Sequence, residues 1–347
     1  MAYTTINKGY LYMNTVLYIG NNTSQSVTGV GFQPDWVWLK ERNGTEAHNL
    51  YDSNRGIFKR LSSNTTGAEY SSNTQLTSFD SDGFSVGSSD AINDSGNNMV
   101  GWNWKADGTA SSNTDGSITS SVSANTDSGF SIVTWTGTGA DATVGHGLGV
   151  VPKIIIVKNR NVVTNWIVGG SLIEDVGGST NNYLLLNTNA GMDSATTLYA
   201  SYNTDTIGVK ADANINGSNN GMLAYCFAEI KGYSKFGSYV GNGSADGPFI
   251  YTGFKPAFVL IKKSNASGTD WQLTDNKRDL HNVCTHRLLP NDSIAEQTDS
   301  LDLDILSNGF KIRKSSTTSN ASGATYIYMA FAENPLVGTN NVPATAR

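Results

Sequence analysis

A ten-residue motif that occurs three times constrains the fold of this chain more than any other feature. The motif has glycine, then proline three positions later, then an apolar run that ends in lysine six positions after the proline. Its fixed positions are Gly31, Pro34, Lys40, Gly149, Pro152, Lys158, Gly253, Pro256 and Lys262. Proline at a strand entry gives up no ladder hydrogen bond, so each copy predicts a turn followed by a buried strand. The lysine is expected to end the strand with its ammonium group in water.

Other elements recur in the same order around each motif. A strand that contains an aromatic residue ends in glycine 14 or 15 residues before each proline. An apolar strand closes each copy, at residues 99–104, 222–227 and 326–331. Three tandem units of about 100 residues follow from this regularity. Because no long segment has helical periodicity, we predict an all-β fold of three tandem β-sandwich domains.

The unit boundaries follow from these elements. We place the units at residues 14–106, 130–231 and 235–335, between an N-terminal arm at 1–13 and a C-terminal tail at 336–347. Residues 107–129 are rich in glycine, serine, threonine and asparagine, which predicts a linker. The apolar runs are strand-sized, which argues against membrane insertion, and the first residues lack a secretory signal pattern.

Charge and cysteine content narrow the class of partner. The net charge is −6 and charged residues make up 15% of the chain, whereas nucleic-acid binding needs clustered cations. The two cysteines, Cys226 and Cys284, are too few for a disulfide framework. Cys226 lies in an alternating strand-like segment, which favours a buried thiol, and a disulfide between the two stays open as an alternative.

Two charged pairs follow the motif at matching positions. Asp52 and Arg55 lie in unit 1, and Asp275 and Arg278 lie in unit 3; each Asp comes 12 or 13 residues after the motif lysine. The middle unit has residues 167–172 there, without either charge. A ligand-binding clamp in two units is one interpretation. We prefer an Asp-capped turn buttressed by Arg, because no nucleophile or second acid repeats with the pair.

Metal sites have weaker support. No zinc-site spacing occurs among the histidines, although two of them flank Cys284; they are His48, His146, His281 and His286. Calcium is an alternative at three acidic turns, which contain Asp80 with Asp82, Asp90 with Asp94, and Asp302 with Asp304. None of these turns matches a known calcium motif, so we predict no cofactor.

Tryptophans alternate on two predicted strands. Trp36 and Trp38 share one face of their strand, as do Trp102 and Trp104. Core packing is the favoured interpretation over an exposed sugar-stacking platform.

Several stretches resemble a family of bacteriophage structural proteins, especially those of marine and cyanobacterial phages. They are residues 2–6, 14–21, 31–40, 76–84 and 328–335. The resemblance is good in units 1 and 3 and follows the pattern more than the identities in unit 2. It implies a tail-fibre or virion-surface protein built from jelly-roll or lectin-like sandwiches. Asn54 departs from the hydrophobic residue usual there, and the middle unit is degraded, which argues against equivalent ligand sites in all three units.

These observations lead to an expected function. We expect a non-enzymatic tail fibre or tail-associated protein that attaches to a glycan or protein of the host surface through variable loops. Its partners would be other virion proteins, in an oligomer such as a trimer, and it would be made in the host cytoplasm and reside in the virion. One alternative is a capsid decoration or tail-adaptor protein that contacts virion proteins alone. A second is a polysaccharide depolymerase, which would need a pair of catalytic carboxylates.

Overall fold

The computed structural model describes residues 4–298 and 301–337. The remaining parts of the predicted N-terminal arm and C-terminal tail lie outside these residues. The chain is almost entirely antiparallel strand and turn, so the all-β prediction is confirmed. Among the described residues no helix is long and apolar enough to cross a membrane.

Unit 1 consists of a four-stranded and a three-stranded sheet. In spatial order, the first contains β1 (Met13–Ile19), β9 (Asn98–Trp104), β3 (Trp36–Glu41) and β4 (Asn49–Asp52). The second contains β2 (Gln25–Thr28), β8 (Gly83–Val86) and β7 (Leu76–Asp80). A two-stranded sheet and a helical turn complete the unit: β5 (Lys59–Arg60), β6 (Tyr70–Ser71) and α1 (Asp90–Asn93).

Unit 2 repeats this order. Its main sheet contains β12 (Phe130–Thr136), β20 (Gly221–Phe227), β14 (Ile154–Asn159) and β15 (Ile167–Gly169), and continues into β16 (Asn182–Leu185) and β17 (Asp193–Ser194). Its three-stranded sheet contains β13 (Ala142–Gly145), β19 (Thr206–Val209) and β18 (Tyr199–Tyr202). The helices are α2 (Ser171–Gly177) and α3 (Ala213–Asn216).

Unit 3 has the same two sheets. The four-stranded sheet contains β21 (Ser234–Val240), β27 (Thr325–Pro335), β23 (Phe254–Lys263) and β24 (Gln272–Asp275). The three-stranded sheet contains β22 (Phe249–Tyr251), β26 (Gly309–Ile312) and β25 (Leu303–Leu306).

The strand register is also the same in the three units. The second residue after the motif proline pairs with the last aromatic residue of the final strand in each unit. These pairs are Trp36 with Trp104, Ile154 with Phe227, and Phe258 with Phe331. Equivalent positions in the three units can therefore be assigned from backbone pairing alone.

The segment at 107–129 is not the linker that its composition predicts. It forms β10 (Ser111–Asn113) and β11 (Ser120–Asn125), which add to β12 and extend the unit 2 sheet to eight strands. The prediction failed because a ladder needs only backbone groups, so polar side chains do not prevent pairing. Ile118 and Val122 anchor the segment in the unit 2 core.

The core has one part shared by all three units. In unit 1 the two sheets face each other across their own cluster, which contains Val37 and Phe84, and unit 2 has a similar cluster. A larger cluster continues through every unit. At its centre Trp36 stacks on Trp104 and on Tyr225, with ring centroids 4.3 Å apart in both pairs. The prediction that the four paired tryptophans are core residues is confirmed, since each is at most 1% exposed.

Candidate functional site

The three units contact one another in a closed ring. The indole Nε1 of Trp166, in unit 2, donates to the carbonyl of Ser62 in unit 1 at 2.9 Å. Trp271, in unit 3, makes the same 2.9 Å contact to the carbonyl of Leu185 in unit 2. His48 holds the equivalent place in unit 1. Unit 1 reaches unit 3 through the hydroxyl of Ser63, which donates to the carbonyl of Pro290 at 2.7 Å. We call the three contact regions the 1–2, 2–3 and 3–1 junctions.

Asp52 and Arg55 form a buried turn at the 1–2 junction. The carboxylate of Asp52 accepts the backbone N–H of Arg55 at 2.9 Å and its Nε–H at 2.5 Å. A third donor group of Arg55 reaches the carbonyl of Leu50 at 2.9 Å. Neither charged side chain is exposed to solvent. The geometry is that of a capped turn, and burial leaves no open face for a ligand.

Asp275 and Arg278 form the same turn at the 3–1 junction. The backbone N–H and the Nε–H of Arg278 reach Asp275 at 3.0 and 2.5 Å. Arg278 also donates to the carbonyl of Leu273 at 2.9 Å. Both side chains are again fully buried. The two turns are therefore copies of one arrangement.

A side chain of the next unit completes each turn. The hydroxyl of Tyr225, on β20, donates to Asp52 Oδ2 at 2.8 Å. The indole Nε1 of Trp102, on β9, donates to Asp275 Oδ2 at 3.0 Å. Strand register places Tyr225 and Trp102 at equivalent positions. Each turn thus joins two units.

A glutamate bridges two arginines at each of these junctions. Glu69 contacts Arg55 of its own unit at 3.1 Å and Arg160 of unit 2 at 2.9 Å. Glu296 contacts Arg278 of its own unit at 2.8 Å and Arg42 of unit 1 at 2.7 Å. Each network therefore spans its junction. It consists of an aspartate, two arginines, a glutamate and the tyrosine or tryptophan that donates to the aspartate.

The charges in this network stabilise one another. Burial opposes ionisation of Glu69, but hydrogen bonding to Arg160 and the charge of Arg55 keep its pKa below the ordinary value. Burial opposes ionisation of Glu296 in the same way, yet its two arginines lower its pKa. The pKa of Asp275 is likewise lowered, since Arg278 outweighs the effect of burial. These carboxylates stay ionised because their partners are in place.

The 2–3 junction has neutral residues at every equivalent position. Backbone bonds fix the correspondence: Glu69 N–H donates to the Arg160 carbonyl at 2.8 Å, and Met192 N–H donates to the Ser264 carbonyl at 2.6 Å. The five positions of the ionic network are occupied here by Gly170, Ile173, Met192, Ser264 and Met329. The absence of the Asp and Arg at residues 167–172 is therefore accompanied by neutral residues at the other positions of the network.

Sequence reasoning found only the short-range part of the network. Arg42 and Arg160 each lie two residues after a motif lysine, and this repeat was a usable signal. Glu69 and Glu296 lie in loops of unequal length, 17 and 21 residues after their aspartates. Tyr225 is a tyrosine, whereas the equivalent residue of unit 1 is Trp102, so residue type does not connect the two. Spacing alone could not connect these residues.

The motif lysines are buried, contrary to the prediction that they reach water. Lys40, Lys158 and Lys262 each have 0% exposure. Backbone carbonyls accept from each ammonium group, at 2.6 Å for Glu41, Thr164 and Thr269. Lys158 and Lys262 also reach carbonyls of the preceding unit, those of Thr66 and Asn189. The loops between units cover the strand ends, which the sequence of a single unit does not reveal.

Burial changes the acidity of these lysines. It lowers the pKa of each of the three to about 8, although nearby carboxylates such as Glu41 oppose the effect at Lys40. The carbonyl groups accept hydrogen bonds from the ammonium groups but carry no full negative charge, so they do not cancel the effect of burial on the pKa.

Asn54 is explained by the segment that precedes unit 2. Its side-chain amide donates to the carbonyl of Ile132 on β12 at 2.7 Å and to that of Ser121 on β11 at 3.3 Å. A polar residue there therefore joins the turn of unit 1 to the extended sheet of unit 2.

The remaining predicted candidates take part in local contacts. His286 Nδ1 lies 2.7 Å from Asp279 Oδ1, and both cysteines are buried thiols. Asp82 accepts the backbone N–H of Gly31 at 2.6 Å, as ordinary turn chemistry predicts. Within residues 4–298 and 301–337, no three His, Cys, Asp or Glu side chains are grouped to hold a metal ion.

Open cavities lie at the surface beside the junctions. One of about 470 Å³ lies at the 2–3 junction, where Lys153 and Asp175 face Phe236. One of about 230 Å³ lies at the 3–1 junction, between Asn14 and Lys277. A third, of about 340 Å³, lies between the end of unit 2 and β22 of unit 3. These cavities are open to solvent, whereas the charges of the two ionic turns are buried.

One family model matches residues 8–335 and therefore all three units together. Its description is "Domain of unknown function (DUF7483)". The chain belongs to this family. A search of curated proteins and a search of solved structures each found no match to this chain. The family model therefore covers the whole ring of this DUF7483 protein.

Proposed function

We propose that this DUF7483 protein is a non-enzymatic structural protein of a phage virion, located in the tail or in a tail fibre, that contacts the host surface. The resemblance of five stretches of sequence to phage structural proteins is the origin of the proposal. The observation that carries it furthest is the closed ring, in which three units with different loops share one core.

The location of the ionisable residues supports a structural role. Two buried ionic networks and two buried lysines, Lys158 and Lys262, join neighbouring units. Charged groups that a reaction could use are thereby engaged in assembly. What differs among the units is the surface, and loops on a rigid scaffold are where binding residues concentrate.

A capsid decoration protein is the second candidate. The ring has three topologically equivalent units, and such a body fits a local threefold position of a capsid lattice. In that case the partners would be capsid subunits and not host molecules.

Labelling of intact particles tests the proposal. An antibody against the purified chain, carried on gold, is applied to virions of the phage that encodes it. Label at the tail is expected, and label over the capsid lattice would favour the second candidate. Absence of the chain from purified virions by mass spectrometry would overturn both.

A further inference from the structure

The first strand of unit 1 has an open edge. Within the described residues, β1 pairs with β9 and with no other strand. The N–H of Gly20 donates to the carbonyl of Asn97 at 2.9 Å at the end of this ladder, and alternate residues of an antiparallel ladder point the same way. The backbone groups of Leu17 and Ile19 therefore face away from β9. Their two N–H groups have no acceptor in the part of the chain that the structure describes.

Two exposed apolar side chains lie on this open part of β1. Leu17 is 42% exposed and Ile19 is 63% exposed. The two residues are two apart on one strand, so their side chains project from the same face. The seven residues of β1 include no charged residue and no proline. An exposed apolar edge strand without these protective features is a template for pairing with another strand.

The equivalent strands of units 2 and 3 are protected. The strand register aligns Leu17 with Thr134 of β12 and with Ser238 of β21. Thr134 pairs with Ser121 of β11, which covers the edge of β12. β21 carries a charge at Lys235, and α2 of unit 2 lies beside this strand. Charge and cover are both recognised ways to protect an edge, and the open part of β1 has neither.

Unit 2 shows what fits an edge of this type. There the polar strand β11 completes the ladder through its backbone groups. Unit 1 has no counterpart of β11 among the described residues, because the segment before β1 is a 3₁₀ turn at Gly9–Leu11. A strand from another molecule is therefore the complementary partner for β1.

β1 is complementary to a second copy of itself. Two antiparallel strands related by a twofold axis form hydrogen bonds where their outward-facing residues lie opposite one another. With Tyr18 on the axis, Leu17 of each copy lies opposite Ile19 of the other, so the apolar side chains pair. With Leu17 on the axis, Ile19 would face Thr15, which is 3% exposed and whose N–H already donates to Asn14 Oδ1 at 3.0 Å. The first register therefore fits better.

We propose that two copies of the chain associate through antiparallel pairing of their β1 strands, with Tyr18 of one copy opposite Tyr18 of the other. The inference does not depend on the proposed function. The two four-stranded sheets join into one of eight strands, the number that the main sheet of unit 2 already has. Because β1 carries no charge, the negative net charge of the chain is not concentrated at the contact. A contact between two short strands is small, so the dimer dissociates on dilution.

Sedimentation velocity of the whole chain over a dilution series tests this contact. Leu17→Lys is expected to weaken association more than about tenfold, since a twofold contact loses two apolar side chains at once. A double variant, Leu17→Thr with Ile19→Thr, copies the residues that unit 2 has at these positions and should also weaken association. Ser238→Lys, at the equivalent exposed position of unit 3, is the matched control and should leave association unchanged. Equal melting temperatures will show that the variants are folded.

Hydrogen exchange provides a second measurement. In peptides that contain β1, exchange of two amides, those of Leu17 and Ile19, should slow as the protein concentration rises. A chain that stays monomeric throughout the series would overturn the proposal. A dimer that survives both variants of β1 would place the contact elsewhere and overturn it too. Loss of the dimer in Ser238→Lys would mean that β1 meets β21 of the second copy, which would overturn the twofold register.

Discussion

The hydroxyl of Tyr225 donates to the carboxylate of Asp52 across the 1–2 junction, at 2.8 Å, and both residues have 0% exposure. The bond joins the last strand of one unit to the turn of another. Its counterpart at the 3–1 junction uses an indole of Trp102. At the 2–3 junction the equivalent residue is Met329, whose side chain has no N–H or O–H group to donate. The junctions therefore differ in chemistry while sharing a backbone plan.

Removal of the Tyr225 hydroxyl should destabilise the protein. In Tyr225→Phe a buried carboxylate loses one donor, so we expect the free energy of unfolding to fall by about 1.5–3 kcal/mol. Urea unfolding measures this change. Met329→Leu is the matched control, since a volume-conserving apolar exchange costs less than about 1.5 kcal/mol. Equal losses in the two variants would contradict an energetic role for the bond.

Removal of Arg55 should be more severe than replacement of the whole network. Arg55→Met leaves Asp52 buried without its ion-pair partner, and we expect a loss of about 3–5 kcal/mol. A variant that copies the 2–3 junction leaves no isolated charge, so its loss should be smaller. This variant combines Asp52→Gly, Arg55→Ile, Glu69→Met, Arg160→Ser and Tyr225→Met. If the combined variant is less stable than Arg55→Met, the neutral residues of the 2–3 junction cannot replace the ionic network at the 1–2 junction.

Acid should weaken the protein through the two ionic junctions. The folded-state pKa values of Glu69 and Glu296 lie below the ordinary value of 4.5. The unfolded chain therefore binds more protons as the pH falls through 4.5, and stability decreases there. Unfolding curves from pH 6 to 3 should show this slope, reduced in Glu69→Gln. Thr28→Ala is the control, since this exposed exchange involves no titratable group and should leave the slope unchanged.

Mild alkali should have the opposite effect through the motif lysines. The pKa of each is lowered to about 8 from 10.5 in the folded state. Above pH 8 the unfolded chain binds more protons than the native protein, so stability rises with pH. Cys226, with a pKa raised from 9.0 to about 12, opposes the rise at higher pH. Urea unfolding between pH 7.5 and 9 should detect the increase, and Lys262→Met should reduce it. A flat profile would mean that the lysines titrate normally.

The all-β class and the threefold order could be read from the sequence because they depend on local patterns. The spacing of Gly31, Pro34 and Lys40 is set within one turn and one strand, so it survives in each copy. The environment of Lys40 could not be read, because the groups that bury it come from loops of its own and other units. Ring closure is a long-range feature of the same kind.

The candidate site was less predictable than the fold. Asp52 and Arg55 are three residues apart in the sequence, so their contact could be predicted from a local pattern. The partner Tyr225 lies 173 residues away, and no regular spacing points to it.

The unequal chemistry of the junctions gives the ring a defined order of disassembly. Unit 1 takes part in both ionic junctions, through Arg55 on one side and Arg42 on the other. Among the described residues, units 2 and 3 lack such a buried network, and the ion pair between them, Lys235 with Glu229, is partly exposed to solvent. Acid should therefore release unit 1 first and leave units 2 and 3 as a pair. A body that is nearly symmetric in shape thus carries a single acid-labile segment.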